Sequence, residues 1–202
     1  MAKGDYKWSA RRRAYIYGNG RAVSSQTVAG WVRAYAERTE NVLGALSDKL
    51  VAGEISREDW YSAMKDEIKD GQRLAGLVAN GGRKNMTLSH WGKTGVSVRE
   101  QLKYLDRFYH ALPDELTSAI SARARLYAAA FYPAYVEHVK RRDEAAGATH
   151  ERSLLTVAEN CASCIVETSR GWVKMGALVP IGARACLVRC KCEYETGTFA
   201  KA

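Results

Sequence analysis

The spacing of apolar residues predicts long α-helices through the first two thirds of the chain. Between Ser24 and Gly53 the apolar residues recur every three or four positions, the period of an amphipathic helix. Ser24 or Ser25 can cap the N-terminus of this helix, and Gly53 can end it. Its apolar positions are Val28, Trp31, Val32, Tyr35, Val42, Leu43, Leu46 and Leu50.

A second helix is predicted directly after the first. Ser56 and Asp59 have the spacing of a capping box, with Asp in place of the usual Glu. Helical periodicity continues from there to the Asn-Gly-Gly at 80–82, which should end the helix. Because the connection to the first helix is short, we expect the two helices to be antiparallel neighbours.

Two further helices are predicted after a looser stretch at 84–95. The third covers 96–112 and stops before Pro113. The fourth covers 113–147, with Pro113 in its first turn, where proline is favourable. Pro133 should kink or split this fourth helix, because proline removes a hydrogen-bond donor from a helix interior.

The segment before the helices is basic, and it is predicted to be an extended arm or a hairpin. The Gly-Asn-Gly at 18–20 is a hairpin signal. The chain carries a net charge of +9. Of this, +5 lies within residues 1–21, where six cations face Asp5 alone. Those cations are Lys3, Lys7, Arg11, Arg12, Arg13 and Arg21.

Such a concentration of positive charge indicates an anionic partner: nucleic acid, an acidic protein surface or lipid head groups. A solvated terminus that contacts nothing specific is the alternative. The candidate anion-binding residues are Arg11, Arg12, Arg13 and Arg21, and Tyr6 and Trp8 would dock together with the 11–13 run.

All five cysteines of the 202 residues lie between 161 and 192. Cys161 and Cys164 form a Cys-x-x-Cys pair, whose tight turn brings two thiolates to one ion. Cys190 and Cys192 would point the same way if they lay on a strand. Cys186 lies one helical turn, or a short loop, before Cys190. The separation of the two groups is typical of a structural zinc site.

The first choice of zinc ligands is Cys161, Cys164, Cys190 and Cys192; the second exchanges Cys186 for one of the last pair. A disulfide pair and simply buried thiols are the alternatives. Basic residues accompany these cysteines and could grip nucleic acid together with Trp172: Arg170, Lys174, Arg184, Arg189 and Lys191. Alternatively, Trp172 and Ile181 cover the metal site as a miniature core.

The pattern therefore predicts a mainly α protein in three parts. Residues 1–23 would form the basic arm or hairpin, 24–150 an antiparallel helical bundle, and 151–202 a small β element stapled by zinc. The hydrophobic fraction of 47% is typical of a folded chain. No apolar run reaches the roughly 18–20 residues of a membrane span, and no secretory signal is recognisable, so a reducing birthplace is expected.

Enzymatic motifs are missing from the sequence. The four histidines form no HExxH pair, and no phosphate-binding or dinucleotide-binding glycine loop occurs. No nucleophile elbow is present either. The sequence therefore favours a non-enzymatic protein.

The order of motifs in the last third resembles the C-terminal part of phage minor head, or head-morphogenesis, proteins, the group that includes the phage Mu F-like proteins. An alanine-rich helix is followed by Cys-x-x-Cys, Gly-Trp, Pro-Ile-Gly and a final Cys-x-Cys. The segments 55–71 and 81–95 also resemble phage structural proteins with this ending. The matching residues of the last third are Cys161, Cys164, Gly171, Trp172, Pro180, Ile181, Gly182, Cys186, Cys190 and Cys192.

This resemblance implies a structural protein of a tailed-phage virion, made in the host cytoplasm and located in the head near the portal vertex. Its expected partners are the portal, the major capsid protein and packaged DNA, and a homo-oligomeric or symmetric arrangement in the particle is implied. The main rival is a nucleic-acid-binding regulator that uses the zinc module. A thiol-dependent enzyme is a third hypothesis.

Overall fold

A computed structural model describes residues 6–12, 14–156 and 159–199. The chain begins with a three-stranded antiparallel sheet of order β1-β2-β3. Its strands are β1 (Tyr6–Ser9), β2 (Ala14–Tyr17) and β3 (Ala22–Val23). The hairpin expected at 18–20 is confirmed as the turn between β2 and β3, where Gly20 has a φ of 81°. Glycine adopts this left-handed conformation without steric cost.

The first two predicted helices are confirmed, together with their caps. α1 spans Ser25–Val51, and the side chain of Ser24 accepts a hydrogen bond from the backbone of Thr27. α2 spans Arg57–Ala79, and the Ser56 hydroxyl accepts from the backbone of Asp59 at 3.0 Å. Both caps satisfy N–H groups that a helix start leaves without a partner.

The looser stretch expected at 84–95 is in fact mostly helical, so that prediction is wrong. α3 spans Leu88–His110 and begins with a reciprocal cap. Thr87 Oγ1 accepts from His90 N, and His90 Nδ1 accepts from Thr87 N, each at 3.3 Å. Histidine here performs the role that Glu or Gln has in the usual capping box. A short 3-10 turn at Arg83–Asn85 precedes this helix.

The predicted fourth helix is two helices, and it starts later than Pro113. α4 spans Ala119–Ala129 and α5 spans Phe131–Ala145, with the break at Ala130. Pro133 is the third residue of α5, so its missing N–H falls in the first turn, where no helical donor is required. The predicted split of this helix is therefore confirmed, with the break three residues before Pro133.

The described residues from 150 onwards include a second antiparallel sheet and a short helix. Its strands are β4 (His150–Leu154), β5 (Val173–Lys174) and β6 (Glu193–Gly197), in the order β5-β4-β6. The helix α6 spans Ala162–Ser169. Leu154 pairs with Glu193, so the end of β4 lies beside the residue that follows Cys192.

The core lies where α1, α2, α4 and α5 contact one another. Gly71 lets α2 approach α5 closely, because a Cβ there would collide with the ring of Phe131. The mainly helical class is confirmed, whereas the antiparallel bundle stays a prediction. Among the described residues, no helix is long and apolar enough to cross a bilayer. Fully buried apolar side chains include Val28, Val32, Leu43, Trp60, Met64, Ile68, Leu105 and Phe131.

The three-part division of the chain stays a prediction. Its first boundary, between 23 and 24, falls between β3 and the cap of α1, and its second falls inside β4. The buried cluster of the helices also includes Ile181 and three cysteines, Cys164, Cys190 and Cys192. The cysteine segment therefore packs directly on the helical part.

Candidate metal centre

The fold brings all five cysteines together into two overlapping groups. The sulfurs of Cys161, Cys164 and Cys186 lie within 4.8 Å of one another, and so do those of Cys164, Cys190 and Cys192. Cys164 belongs to both groups. The predicted clustering of the cysteines is confirmed, and either group could hold a metal ion.

The first pair of thiols lies at the start of α6. Cys161 is the N-cap residue, and Cys164 N donates to Cys161 O at 2.9 Å. This places both sulfurs at the helix N-terminus, where the free N–H groups carry partial positive charge and favour thiolates. Cys164 is buried, whereas Cys161 is partly exposed.

The second half of the centre is built on a short 3-10 turn, Leu187–Arg189, which Cys186 and Cys190 flank. The expectation that Cys186 lies one turn before Cys190 is thus confirmed. The expectation that Cys190 and Cys192 share a strand is wrong, since both precede β6. Leu187 has a φ of 49°, an uncommon conformation for a residue with a side chain.

The distances between sulfurs match a metal-thiolate centre. Cys164 Sγ lies 3.6 Å from Cys186 Sγ and 3.5 Å from Cys190 Sγ. With Zn–S bonds of about 2.3 Å, the edge of a tetrahedron is about 3.8 Å. A disulfide needs sulfurs at about 2.05 Å. All five cysteines are free thiols in this structure.

A buried arginine accompanies the thiols. Arg184 is 1% exposed, and its Nη1 lies 3.8 Å from Cys164 Sγ and 2.9 Å from Ser153 Oγ. Its Nη2 donates to the Tyr194 hydroxyl at 2.9 Å. The guanidinium therefore offsets negative charge on the sulfurs. The sequence suggested a nucleic-acid contact for Arg184, and its burial rules out direct contact with a phosphate.

Two buried carboxylates hold the loop that leads to Cys186. Glu151 is fully buried, and its Oε1 accepts from the backbone of Gly176 and Leu178, each at 3.1 Å. Glu167 Oε2 accepts from the backbone of Val179 at 2.9 Å. Sequence reasoning missed both residues, because a single glutamate carries no local sign that it will bind a loop distant in sequence.

The local environment moves the thiol pKa values in opposite directions. The Ser163 hydroxyl lies 3.4 Å from Cys161 Sγ, and this hydrogen bond lowers the pKa of Cys161 to about 6. Burial raises the pKa of Cys192 to about 12 and also raises the pKa of Cys164 and Cys186. Metal binding must therefore displace protons from the buried thiols, as thiolates are the ligands.

Trp172 and Ile181 have different positions. Ile181 is 5% exposed and belongs to the buried cluster with the cysteines, which agrees with a covering role. Trp172 packs edge-on against Phe199, with its ring 3.1 Å from the position a Cβ on Gly197 would take. Gly197 is the last residue of β6, about 16 Å along an extended strand from Cys192. Trp172 thus lies at the other end of the sheet.

Three of the predicted anion-binding arginines lie in the connections of the N-terminal sheet: Arg11 and Arg12 between β1 and β2, and Arg21 directly before β3. Arg11, Arg12 and Arg21 are exposed, and Arg13 lies outside the described residues. Tyr6 packs on Trp31, with the ring centroids 5.2 Å apart. Trp8 contacts the ring of Tyr15. The guanidinium carbon of Arg142 lies over the Trp8 ring, 3.4 Å from its centroid. The two aromatic residues expected to dock a partner thus contact the rest of this chain.

No protein-family model matches the chain, and neither a curated protein nor a solved structure with significant similarity was found.

Proposed function

We propose that the protein is a non-enzymatic structural component of a tailed-phage head whose C-terminal segment is stapled by one zinc ion. The observation that carries the proposal is the convergence of five thiols, with sulfurs of different segments 3.5 and 3.6 Å apart. Four thiolates close a tetrahedral site and leave no position for water, which favours a structural role over a catalytic one.

We propose Cys161, Cys164, Cys186 and Cys190 as the ligands, which is the second of the two ligand sets that the sequence offered. The sulfur of Cys192 also lies within 4.8 Å of those of Cys164 and Cys190, so the variants below decide between Cys186 and Cys192. Cys186 and Cys190 each lie at tetrahedral-edge distance from Cys164, and Cys161 lies close to both Cys164 and Cys186. Cys192 is then the spare cysteine. Its Sγ lies 3.9 Å from Asn160 Oδ1, which can accept from the protonated thiol.

Zinc at this position would stabilise the docking of the C-terminal segment on the helices. The backbone of this segment accepts hydrogen bonds from Tyr132 at Cys192 O and from Arg33 at Lys191 O, at 3.1 and 3.2 Å. Arg33 also forms an ion pair with Glu193 at 3.0 Å. A rigid joint between the segment and helices α1 and α5 suits a protein that works through contacts with other subunits.

The location in a phage head is supported by the resemblance of the motif order to minor head proteins. The proposed partners are the portal and the major capsid protein, in a symmetric arrangement near the portal vertex. The rival function, a nucleic-acid-binding regulator that grips through the zinc module, loses Arg184 as a contact, because that side chain is buried.

A matched pair of variants tests the ligand set. We expect Cys186→Ser to lower the zinc content well below one per chain, and Cys192→Ser to keep about one. Zinc is measured by mass spectrometry on protein purified with a reductant. The reverse pattern would show that Cys192 is a ligand and would reject the proposed set.

Assembly tests the proposed location. Co-expression with portal and major capsid protein of the phage that encodes the chain should give particles that contain it, and the Cys164→Ser variant should be depleted from them. Particles that assemble normally without the chain, and never contain the wild-type protein, would contradict the structural function.

A further inference from the structure

A basic groove lies at the opposite end of the sequence from the cysteines. It runs between the N-terminal sheet and the connection from α2 to α3, with a volume of about 720 Å³. Five cationic side chains line it: Lys7, Arg11, Arg12, Arg83 and Lys84. The arginines of the arm were expected to bind an anionic partner, whereas no role was expected for Arg83 or Lys84.

Glycines bring the two walls together. Gly81 has a φ of 74°, and a Cβ there would lie 2.2 Å from the backbone nitrogen of Trp8, so β1 passes directly over this turn. Asn85 Nδ2 donates to Gly81 O at 2.8 Å and fixes the 3-10 turn that carries Arg83 and Lys84. The positions of the cations therefore follow from backbone packing.

Among the described residues, the lining of the groove includes neither Asp nor Glu, and its five cations are all exposed. Within residues 6–12, 14–156 and 159–199, none of these five forms a salt bridge. Cations elsewhere are commonly paired, as in Arg33–Glu193, Arg73–Asp70 and Lys103–Glu100. Arg21 adds a further exposed charge beside Gly20, which also lines the groove.

We propose that this groove binds the sugar-phosphate backbone of a nucleic acid. Cations on both walls can contact successive phosphates, and a concave site fits a nucleic-acid strand better than it fits a flat bilayer surface. Tyr6 and Tyr17 also line the groove, and both rings pack against Trp31 of α1, so the cations supply the binding contacts. Contacts of this kind bind without sequence preference and weaken steeply with salt.

The test measures affinity for a short, fluorescently labelled DNA duplex of arbitrary sequence over a range of salt concentrations. Two double variants are compared with the wild type. One carries Arg11→Gln and Arg12→Gln, and the other carries Arg83→Gln and Lys84→Gln. Each side chain that contacts a phosphate should lower the slope of log affinity against log salt by about 0.9. The control pair, Arg99→Gln on α3 with Lys49→Gln on α1, removes the same charge from exposed positions outside the groove.

We expect each groove pair to reduce the slope by about 1 to 2 and the control pair to leave it nearly unchanged. Equal effects of the groove and control pairs would overturn the proposal, because binding would then follow net charge alone. Tighter binding to polyglutamate, or to vesicles containing phosphatidylserine, than to DNA would also overturn it. All the substituted side chains are exposed in the wild type, and the folding of each variant is checked by circular dichroism. The result is independent of the zinc content and of head assembly.

Discussion

The helical part and the cysteine segment bury very different side chains. Between α1 and α5 the fully buried positions are mostly large and apolar, such as Leu43, Trp60 and Phe131. Around the thiols the most deeply buried side chains include Glu151 and Arg184, which are charged. One region is stabilised by removing apolar surface from water, and the other contains groups that are costly to bury without partners.

This difference shows why the two regions should respond differently to metal. Apolar contacts in the helices form without any cofactor. In the cysteine segment, four thiolates around zinc would carry a net charge of −2, and the buried guanidinium of Arg184 lies beside them. Without the ion, that guanidinium would face the neutral thiol of Cys164, whose pKa is raised by burial. The following predictions test this contrast, from the largest expected effect to the smallest.

Removal of the Cys164 thiol, which belongs to both sulfur groups, should have the largest effect on metal content and on the order of the cysteine segment. Cys164→Ser should abolish zinc binding and disorder residues 159–199, since zinc contributes on the order of 10 kcal/mol to folding in small zinc modules. Hydrogen exchange, followed by mass spectrometry, should show lost protection in α6 and β6 and retained protection in α2.

Chelation of the wild-type protein should reproduce this pattern and be reversed by added zinc. Equal loss of protection in α2 and β6 would contradict the contrast, because it would show that the helices also depend on the metal.

A cavity in the helical core should destabilise the helical part and leave the metal centre intact. Phe131→Ala removes a fully buried ring that packs against Gly71, and we expect a loss of about 3–5 kcal/mol in the free energy of unfolding. Urea denaturation measures it, and the folded variant should still hold about one zinc. Loss of zinc under native conditions would show that the centre depends on this contact.

Replacement of the buried guanidinium should weaken metal binding without abolishing it. Arg184→Met keeps much of the volume but removes the charge beside Cys164, and we expect a 10- to 100-fold loss of zinc affinity, as for other groups that support metal ligands. Competition with a chelating dye measures the affinity. Arg189→Met, an exposed change on the 3-10 turn, is the control and should bind like the wild type.

Acid should destabilise the helical part through His138. Burial lowers the pKa of this side chain from 6.5 to about 4, and its Nε2 lies 3.4 Å from Thr94 Oγ1. Between pH 6.5 and pH 4 the imidazole of His138 is protonated in the unfolded chain but not in the folded chain. The free energy of unfolding therefore falls as the pH falls through this range. The expected contribution is about 2 kcal/mol between pH 8 and pH 5.

The His138→Gln variant should lose this part of the pH dependence in urea titrations, while His110→Gln, at an exposed position, should retain it. An identical pH dependence in His138→Gln and the wild type would remove His138 as the cause.

Local signals explain which elements the sequence could predict. The starts of α1 and α2 depend on Ser24 and Ser56 capping nearby N–H groups, so a few adjacent residues were enough. The start of α3 was missed because His90 replaces the usual Glu or Gln, and Gly92 and Gly95 obscure the helical pattern. α4 starts six residues after Pro113, so a favourable first-turn residue did not decide the boundary.

The candidate site was predictable in composition but not in geometry. Cysteine spacing indicated a cluster, and the turn between Cys186 and Cys190 was foreseen. Arg184 and Glu151 were not assigned to the centre, because partners such as Cys164, Ser153 and Leu178 lie 20 to 31 residues from them in the chain and meet them only after folding. The choice between Cys186 and Cys192 likewise depends on distances that spacing does not specify.

Metal content and thiol reactivity of the full chain, purified under reducing conditions, test the central claim most directly. We predict about one zinc per chain, with the four ligand thiols and the buried thiol of Cys192 all protected from alkylation until a chelator is added. Metal-free protein whose five thiols all react at once, or whose cysteines react only after reduction, would contradict a zinc-stapled centre.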